Sequence, residues 1–84
     1  MNLDLLNFTP ETLLIAVRRA TRGRYLYVYR CNEQGVKVDP AVDHQLMNHM
    51  TVLQDIAQAM GVDSETLLDA QRAGIASARD KVSA

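Results

Sequence analysis

The sequence predicts a small α+β fold with the element order helix, β-hairpin, long helix, helix. Two patterns predict it. Apolar residues recur at helical spacing in residues 13–20 and again across the second half of the chain, whereas residues 25–31 alternate between two faces as a strand does. Because two strands alone are only marginally stable in water, the helices are expected to cover the hairpin. The length of 84 residues fits one domain, so residues 1–84 are predicted to fold as a single domain.

The first helix is predicted to begin directly after Thr9. The Thr9 hydroxyl can cap the free amides of the first turn, and Pro10 suits the first helical position because its nitrogen has no hydrogen that needs a partner. Phe8 is placed to pack on Leu13 as a hydrophobic staple. Gly23 is predicted to end this helix.

The β-hairpin is predicted over residues 25–38. The first strand carries Tyr25, Tyr27, Tyr29 and Cys31 on one face and Leu26, Val28 and Arg30 on the other. Residues 32–35 have the composition of a turn, and residues 36–38 resume an extended pattern. The first strand is the longer one, so its free edge can pair with a second copy of the chain, which predicts a homodimer.

The second half is predicted to form two antiparallel helices. Asp39 and Pro40 open a long helix with an apolar seam in steps of four and three residues, which offers a second surface for dimerisation. The seam consists of Val42, Leu46, His49, Leu53, Ile56 and Met60. Gly61 ends the helix, and Asp63 is predicted to cap the next one. A capping box at Thr51 is an alternative that would divide residues 40–60 into two helices. The last helix is expected to approach the long one closely at its small residues, which are Ala70, Ala73, Gly74, Ala76 and Ala78.

Residues 53–72 resemble the helix-turn-helix of DNA-binding proteins. Ala57 falls where the first helix of that motif must be small, and Gly61 falls where its turn needs a positive φ. The apolar packing positions match Ile56, Met60, Val62, Leu67 and Ala70. The resemblance implies a transcription regulator whose second helix enters the major groove of DNA. The residues that it would turn toward bases and phosphates are Ser64, Glu65, Leu68, Asp69 and Arg72.

Charge is distributed unevenly along the chain, although the net charge is only −1. Residues 1–38 carry six basic and three acidic side chains, whereas residues 39–84 carry three basic and seven acidic ones. The basic half interleaves arginines with tyrosines, a pattern similar to the aromatic strand of RNA-recognition domains and also typical of protein interfaces. Tyrosines would supply apolar contact area, and arginines would orient an acidic partner. The predicted partner-binding residues are Arg22, Arg24, Tyr25, Tyr27, Tyr29 and Arg30.

The sequence contains no pattern that indicates catalysis, a metal ion or another cofactor. His44 and His49 are five residues apart, which places them on different faces of a helix, and no serine lies in a nucleophile motif. Cys31 is the single cysteine, so no internal disulfide is expected and a reducing cytoplasm is the predicted compartment. The longest apolar run, residues 13–17, is far short of the roughly 20 residues of a membrane span, and no secretion signal is expected.

These observations predict a small, non-enzymatic intracellular regulator or adaptor that works by binding a macromolecule, with a protein as the expected partner. A DNA-binding transcription regulator of the helix-turn-helix class is the alternative, with nucleic acid as the partner. No cofactor and no membrane contact are expected, and the expected assembly is a homodimer.

Overall fold

The computed structural model describes residues 9–83, and this part of the chain consists of three α-helices without a strand. The helices are α1 (Pro10–Glu33), α2 (Pro40–Ala59) and α3 (Ser64–Ser83). The predicted α+β fold is therefore wrong. Its helical elements are present, but the residues assigned to the hairpin form the second half of α1 and the loop that follows it.

The start of α1 is as predicted. The Thr9 hydroxyl accepts a hydrogen bond from the Thr12 amide at 3.1 Å, and Pro10 occupies the first position. The Thr12 hydroxyl accepts the Thr9 amide in return at 2.9 Å, which completes a capping box. The predicted staple on Leu13 involves Phe8, which lies outside the described residues.

The helix continues through Gly23 because tertiary contacts lie on both sides of it. Gly23 does not adopt a positive φ, and a glycine inside a helix costs only about 1 kcal/mol relative to alanine. Residues spaced in steps of four and three form a seam along α1. Its first residues lie in the core with residues of α2 and α3, and Arg24 and Tyr27 further along bond to the start of α2. The seam consists of Leu13, Val17, Ala20, Arg24, Tyr27 and Cys31. This long-range packing outweighs the local strand preference of the tyrosine-rich segment.

The glycine assigned to a hairpin turn ends a helix instead. Gly35 has φ +67°, its amide bonds the Asn32 carbonyl at 3.2 Å, and the Val36 amide bonds the Cys31 carbonyl at 2.8 Å. This pair of bonds is a Schellman motif, which satisfies carbonyls that the helix end leaves free. Residues 34–39 then form the loop to α2, so the predicted second strand at residues 36–38 is also wrong.

Residues 40–59 form one unbroken helix. Asp39 caps it by accepting the Ala41 amide at 2.9 Å, and the Thr51 hydroxyl donates to the Met47 carbonyl instead of starting a new helix. Gly61, with φ +94°, ends α2 in a second Schellman motif, in which the Val62 amide bonds the Ala57 carbonyl at 3.0 Å.

Asp63 then caps α3, as the sequence predicts. Its carboxylate accepts the Thr66 amide at 3.0 Å. The Thr66 side chain and amide lower the pKa of Asp63 by hydrogen bonding to its charged form.

The central helix is α1, and both other helices pack along it while contacting one another little. Near the end of α1, Arg24 and Tyr27 contact Asp43 and Asp39 at the start of α2, so α2 runs antiparallel to α1. None of the helices in residues 9–83 has a segment both long and apolar enough to cross a lipid bilayer.

The small residues of α3 allow it to approach α1, and not α2 as the sequence suggested. A Cβ atom on Gly74 would lie 2.5 Å from the Arg18 carbonyl oxygen and 3.1 Å from the Thr21 Cβ. Thr66, earlier in α3, shares a surface with Pro10, so α3 runs parallel to α1. The prediction that the last two helices pack closely on each other is therefore wrong, because α3 packs mainly on α1.

Candidate functional site

All six predicted partner-binding residues lie on α1, and the helix distributes them over different faces. As a strand, this segment would have presented its three tyrosines together. As a helix, it turns Tyr27 toward α2 and keeps Tyr25 and Tyr29, one turn apart, on a different face. The predicted surface is thus divided into an internally bonded part and an accessible part.

The internally bonded part joins α1 to the start of α2. The Arg24 Nε donates to the Asp43 carboxylate at 2.8 Å, and a second guanidinium nitrogen reaches the other carboxylate oxygen at 3.3 Å. The Tyr27 hydroxyl accepts the Asp39 amide at 2.9 Å. This bond lowers the pKa of Tyr27, but burial and the neighbouring Cys31 thiol raise it, and the net direction is upward. Tyr27 is therefore a neutral structural contact at physiological pH.

The accessible part is a groove on the second half of α1, which we call the tyrosine groove. It has a volume of about 260 Å³ and is lined by Arg24, Tyr25, Val28, Tyr29 and Asn32. Both tyrosines and Val28 are half-buried, so part of each side chain remains open to a ligand. All five lining residues belong to α1, so neither α2 nor α3 contributes to the wall of the groove.

The remaining two predicted residues lie elsewhere on α1. Arg30 is exposed, and Arg22 is half-buried between α1 and α3. Arg22 lines a second cavity of about 260 Å³, the arginine cavity, whose lining residues are Arg18, Arg19, Arg22, Ala73 and Ser77. Arg18 and Arg19 are not among the binding residues predicted from the sequence. Their spacing from Arg22, four and three residues along a helix, is the signal that would have grouped them.

A third surface lies between α1 and α2. The α1–α2 groove, of about 610 Å³, is lined by Thr12, Ile15, Ala16, Arg19, Ala20 and His49. It lies beside the predicted apolar seam of α2, which the fold covers only in part. Leu53 is buried, whereas Val42, His49 and Met60 remain exposed.

The residues predicted to contact DNA lie together on the outer face of α3. Ser64, Glu65, Leu68, Asp69 and Arg72 are all exposed. Ala57 is fully buried and Gly61 has a positive φ, as a helix-turn-helix requires. However, Arg72 pairs with Asp69 at 3.4 Å, so Glu65 and Asp69 leave this face with a net negative charge that phosphates repel.

No cluster of three or more metal-binding side chains occurs among residues 9–83. Cys31 is buried and forms no disulfide. Comparisons with models of known protein families, with curated proteins and with solved structures found no match for this chain.

Proposed function

We propose that the protein is a small, non-enzymatic intracellular regulator or adaptor that binds a protein partner through the tyrosine groove. The observation that supports this most directly is the pair Tyr25 and Tyr29, which line an open groove one helical turn apart with Val28 between them. Tyrosine combines a large apolar area with a polar end, and it is enriched at the centres of protein interfaces.

The expected partner segment is an amphipathic helix with acidic residues beside its apolar face. An open groove formed by one helix alone offers a strip on which a further amphipathic helix can pack. Arg24 is the charged residue that lines the groove, so the rim favours negative charge. Arg24 also pairs with Asp43 through its Nε and one terminal nitrogen, so its other terminal nitrogen is the donor that we assign to an acidic residue of the partner.

The compartment is proposed to be the cytoplasm. Cys31 is the single cysteine of the sequence, and its thiol is buried and not oxidised to a disulfide. A reducing compartment is compatible with a free thiol of this kind.

The test combines photo-crosslinking with mutation of the groove. A photoreactive phenylalanine analogue replaces Tyr29 in the full chain in native cells, and a second version carries it at exposed Leu68 on α3. We expect a protein crosslinked from position 29 and not from position 68. The change Tyr25→Ala should weaken binding of the identified protein at least about tenfold, because central interface tyrosines contribute most of the binding energy.

The matched control is Tyr27→Phe, which removes a hydroxyl that faces α2 and leaves the groove unchanged. It should bind the partner as the unmodified chain does. The proposal is wrong if the same proteins are crosslinked from both positions, or if Tyr25→Ala, still helical by circular dichroism, binds with unchanged affinity.

Binding of duplex DNA through α3 remains the alternative function, favoured by buried Ala57 and the positive φ of Gly61. Titration with mixed duplex DNA at several salt concentrations separates the two functions. A DNA-binding protein loses affinity steeply as salt increases, and Arg72→Gln would weaken it. The adaptor proposal expects no binding to duplex DNA at any of these concentrations.

We also propose that the protein forms a homodimer. The predicted strand edge does not exist, so the α1–α2 groove and the exposed seam residues beside it are the surface we assign. Ile15 and Val42 are 39% and 37% exposed, which leaves apolar area that a second copy would cover. In a dimer with twofold symmetry, this surface would pack on itself.

A further inference from the structure

The arginine cavity concentrates positive charge between α1 and α3. Arg18, Arg19 and Arg22 come from slightly more than one turn of α1, so their side chains reach the same space. On the other side, α3 contributes Ala73, whose small side chain leaves room, and the hydroxyl of Ser77. The close approach at Gly74 holds the two helices together beside the cavity.

This charge is not neutralised within residues 9–83. The ion pairs in that range join Arg24 to Asp43 and Arg72 to Asp69, and none involves the three cavity arginines. In addition, the Nε of Arg22 is buried and has no hydrogen-bond partner among the described residues. A buried donor without an acceptor costs about 1–3 kcal/mol, and more when the group is charged. Arg22 would therefore gain from turning its guanidinium toward an acceptor in the cavity.

We propose that the arginine cavity binds the dianion of a phosphate monoester. The planar guanidinium groups of three arginines match phosphate oxygens, and Ser77 can donate a further hydrogen bond. A monoester carries nearly two negative charges at neutral pH, which balances three cations better than the single charge of a phosphodiester or carboxylate. A volume of about 260 Å³ suits a phosphate and the atoms nearest to it.

Binding requires a local change at Arg22. Its Nε is covered, so the N–H can reach the ligand only after the side chain rotates into the cavity. Asp80 lies on α3 one turn after Ser77 and is exposed, so its negative charge opposes the ligand. Removing that charge with Asp80→Asn should tighten binding about two- to threefold.

The first test is a nuclear magnetic resonance titration of the full ¹⁵N-labelled chain with inorganic phosphate at constant ionic strength. We expect saturable shifts in the amides of residues 18–22 and 73–77 and in the Arg22 Nε–H signal. Sodium chloride at the same ionic strength should not produce them. Absence of saturation, or equal shifts with chloride, overturns the proposal.

The second test uses matched variants. Arg22→Gln should weaken phosphate binding about tenfold or more, since it removes charged hydrogen bonds. Arg79→Gln is the control, because it changes the charge of the chain equally at an exposed α3 residue that does not line the cavity. It should change affinity less than about twofold. Arg18→Gln replaces Arg22→Gln if the latter does not fold. Equal effects of the cavity variant and the Arg79 variant refute a localised site.

The source of the phosphate is distinguished by comparing O-phosphoserine, a peptide that contains phosphoserine, and a single-stranded oligonucleotide without terminal phosphates. Tighter binding of the peptide than of the free amino acid indicates a phosphorylated protein, and equal binding indicates a small phosphorylated molecule. Both outcomes support the proposal. An oligonucleotide that binds more tightly than either monoester contradicts it. The site does not include the tyrosine groove, so this result does not depend on the proposed function.

Discussion

Gly74 in α3 and Gly23 in α1 are expected to respond in opposite ways to replacement by alanine. A Cβ on Gly74 would collide with the Arg18 carbonyl at 2.5 Å, whereas a Cβ on Gly23 would meet nothing within 4 Å. We expect Gly74→Ala to destabilise the fold by about 1–3 kcal/mol, because the backbone of α1 must move to accommodate it. Gly23→Ala should stabilise it by up to about 1 kcal/mol. Urea unfolding of the two variants tests this, and a stable Gly74→Ala variant would contradict the packing of α3 on α1.

Asp63 makes the start of α3 dependent on pH. Its pKa is lower in the folded chain than its ordinary value of 3.8, because the hydrogen bonds from Thr66 favour the carboxylate. The stabilisation is therefore fully present above the unfolded pKa and is lost as the pH falls through the folded pKa. Asp63→Asn keeps an acceptor for the cap but does not titrate. The unmodified chain should have the higher urea midpoint at pH 7, and this difference should shrink as the pH falls below 3.8, the ordinary pKa of the carboxyl group. A difference that is constant with pH would contradict this role of Asp63.

The Arg24–Asp43 pair connects α1 to α2 and tests how the two helices are joined. The side chains of Arg24 and Asp43 are 37% and 24% exposed, so solvent screens their charges only in part. A double-mutant cycle with Arg24→Gln and Asp43→Asn should give a coupling free energy of about 0.5–1 kcal/mol. The same cycle at Arg72 and Asp69, both 69% exposed, serves as the control and should give less than about 0.3 kcal/mol. Equal coupling in both cycles would contradict the partly buried contact.

The helix starts and the end of α2 were predictable from the sequence, whereas the interior of α1 and its end after Glu33 were not. Thr9, Asp39 and Asp63 act as caps as predicted, because capping depends on residues within one turn. Gly35 was interpreted as a hairpin turn, because positive φ is required both in that turn and after a helix. The alternation of tyrosines predicted a strand, but Tyr27 and Cys31 of that segment also continue a helical seam that begins at Leu13. Whether the strand period or the helical period applies depends on which elements pack on the segment. Local sequence patterns do not contain that information.

The candidate site was predictable by residue type but not by arrangement. Sequence reasoning identified the basic and aromatic segment, and Tyr25 and Tyr29 do line an open groove. It did not distinguish Arg24 and Tyr27, which bond to α2, from the tyrosines that stay accessible. Their bonding partners are 19 and 12 residues away in the chain, beyond the reach of a local pattern. The predicted approach of α3 to α2 failed for a related reason. Small residues indicate that a close contact exists, but they do not identify the opposing helix.

For the whole molecule, self-association is the property most open to direct measurement. We expect sedimentation equilibrium to show a dimer that Ile15→Glu disrupts, because the substitution places a charge in the α1–α2 groove. Val36→Glu is the control, since Val36 is 54% exposed in the loop before α2. The assignment of the dimer surface is wrong if both variants remain dimeric or if the control also dissociates.

The central position of α1 has a consequence for cooperativity. Since α2 and α3 each rest on α1 and barely on one another, one of them can detach while the other stays in place. Amide hydrogen exchange should then show two separate opening free energies for α2 and α3, with the slowest exchange in the middle of α1. A ligand bound between α1 and α3 would slow hydrogen exchange in α3 and leave exchange in α2 unchanged. The exchange rates of α3 would therefore show whether that surface is occupied.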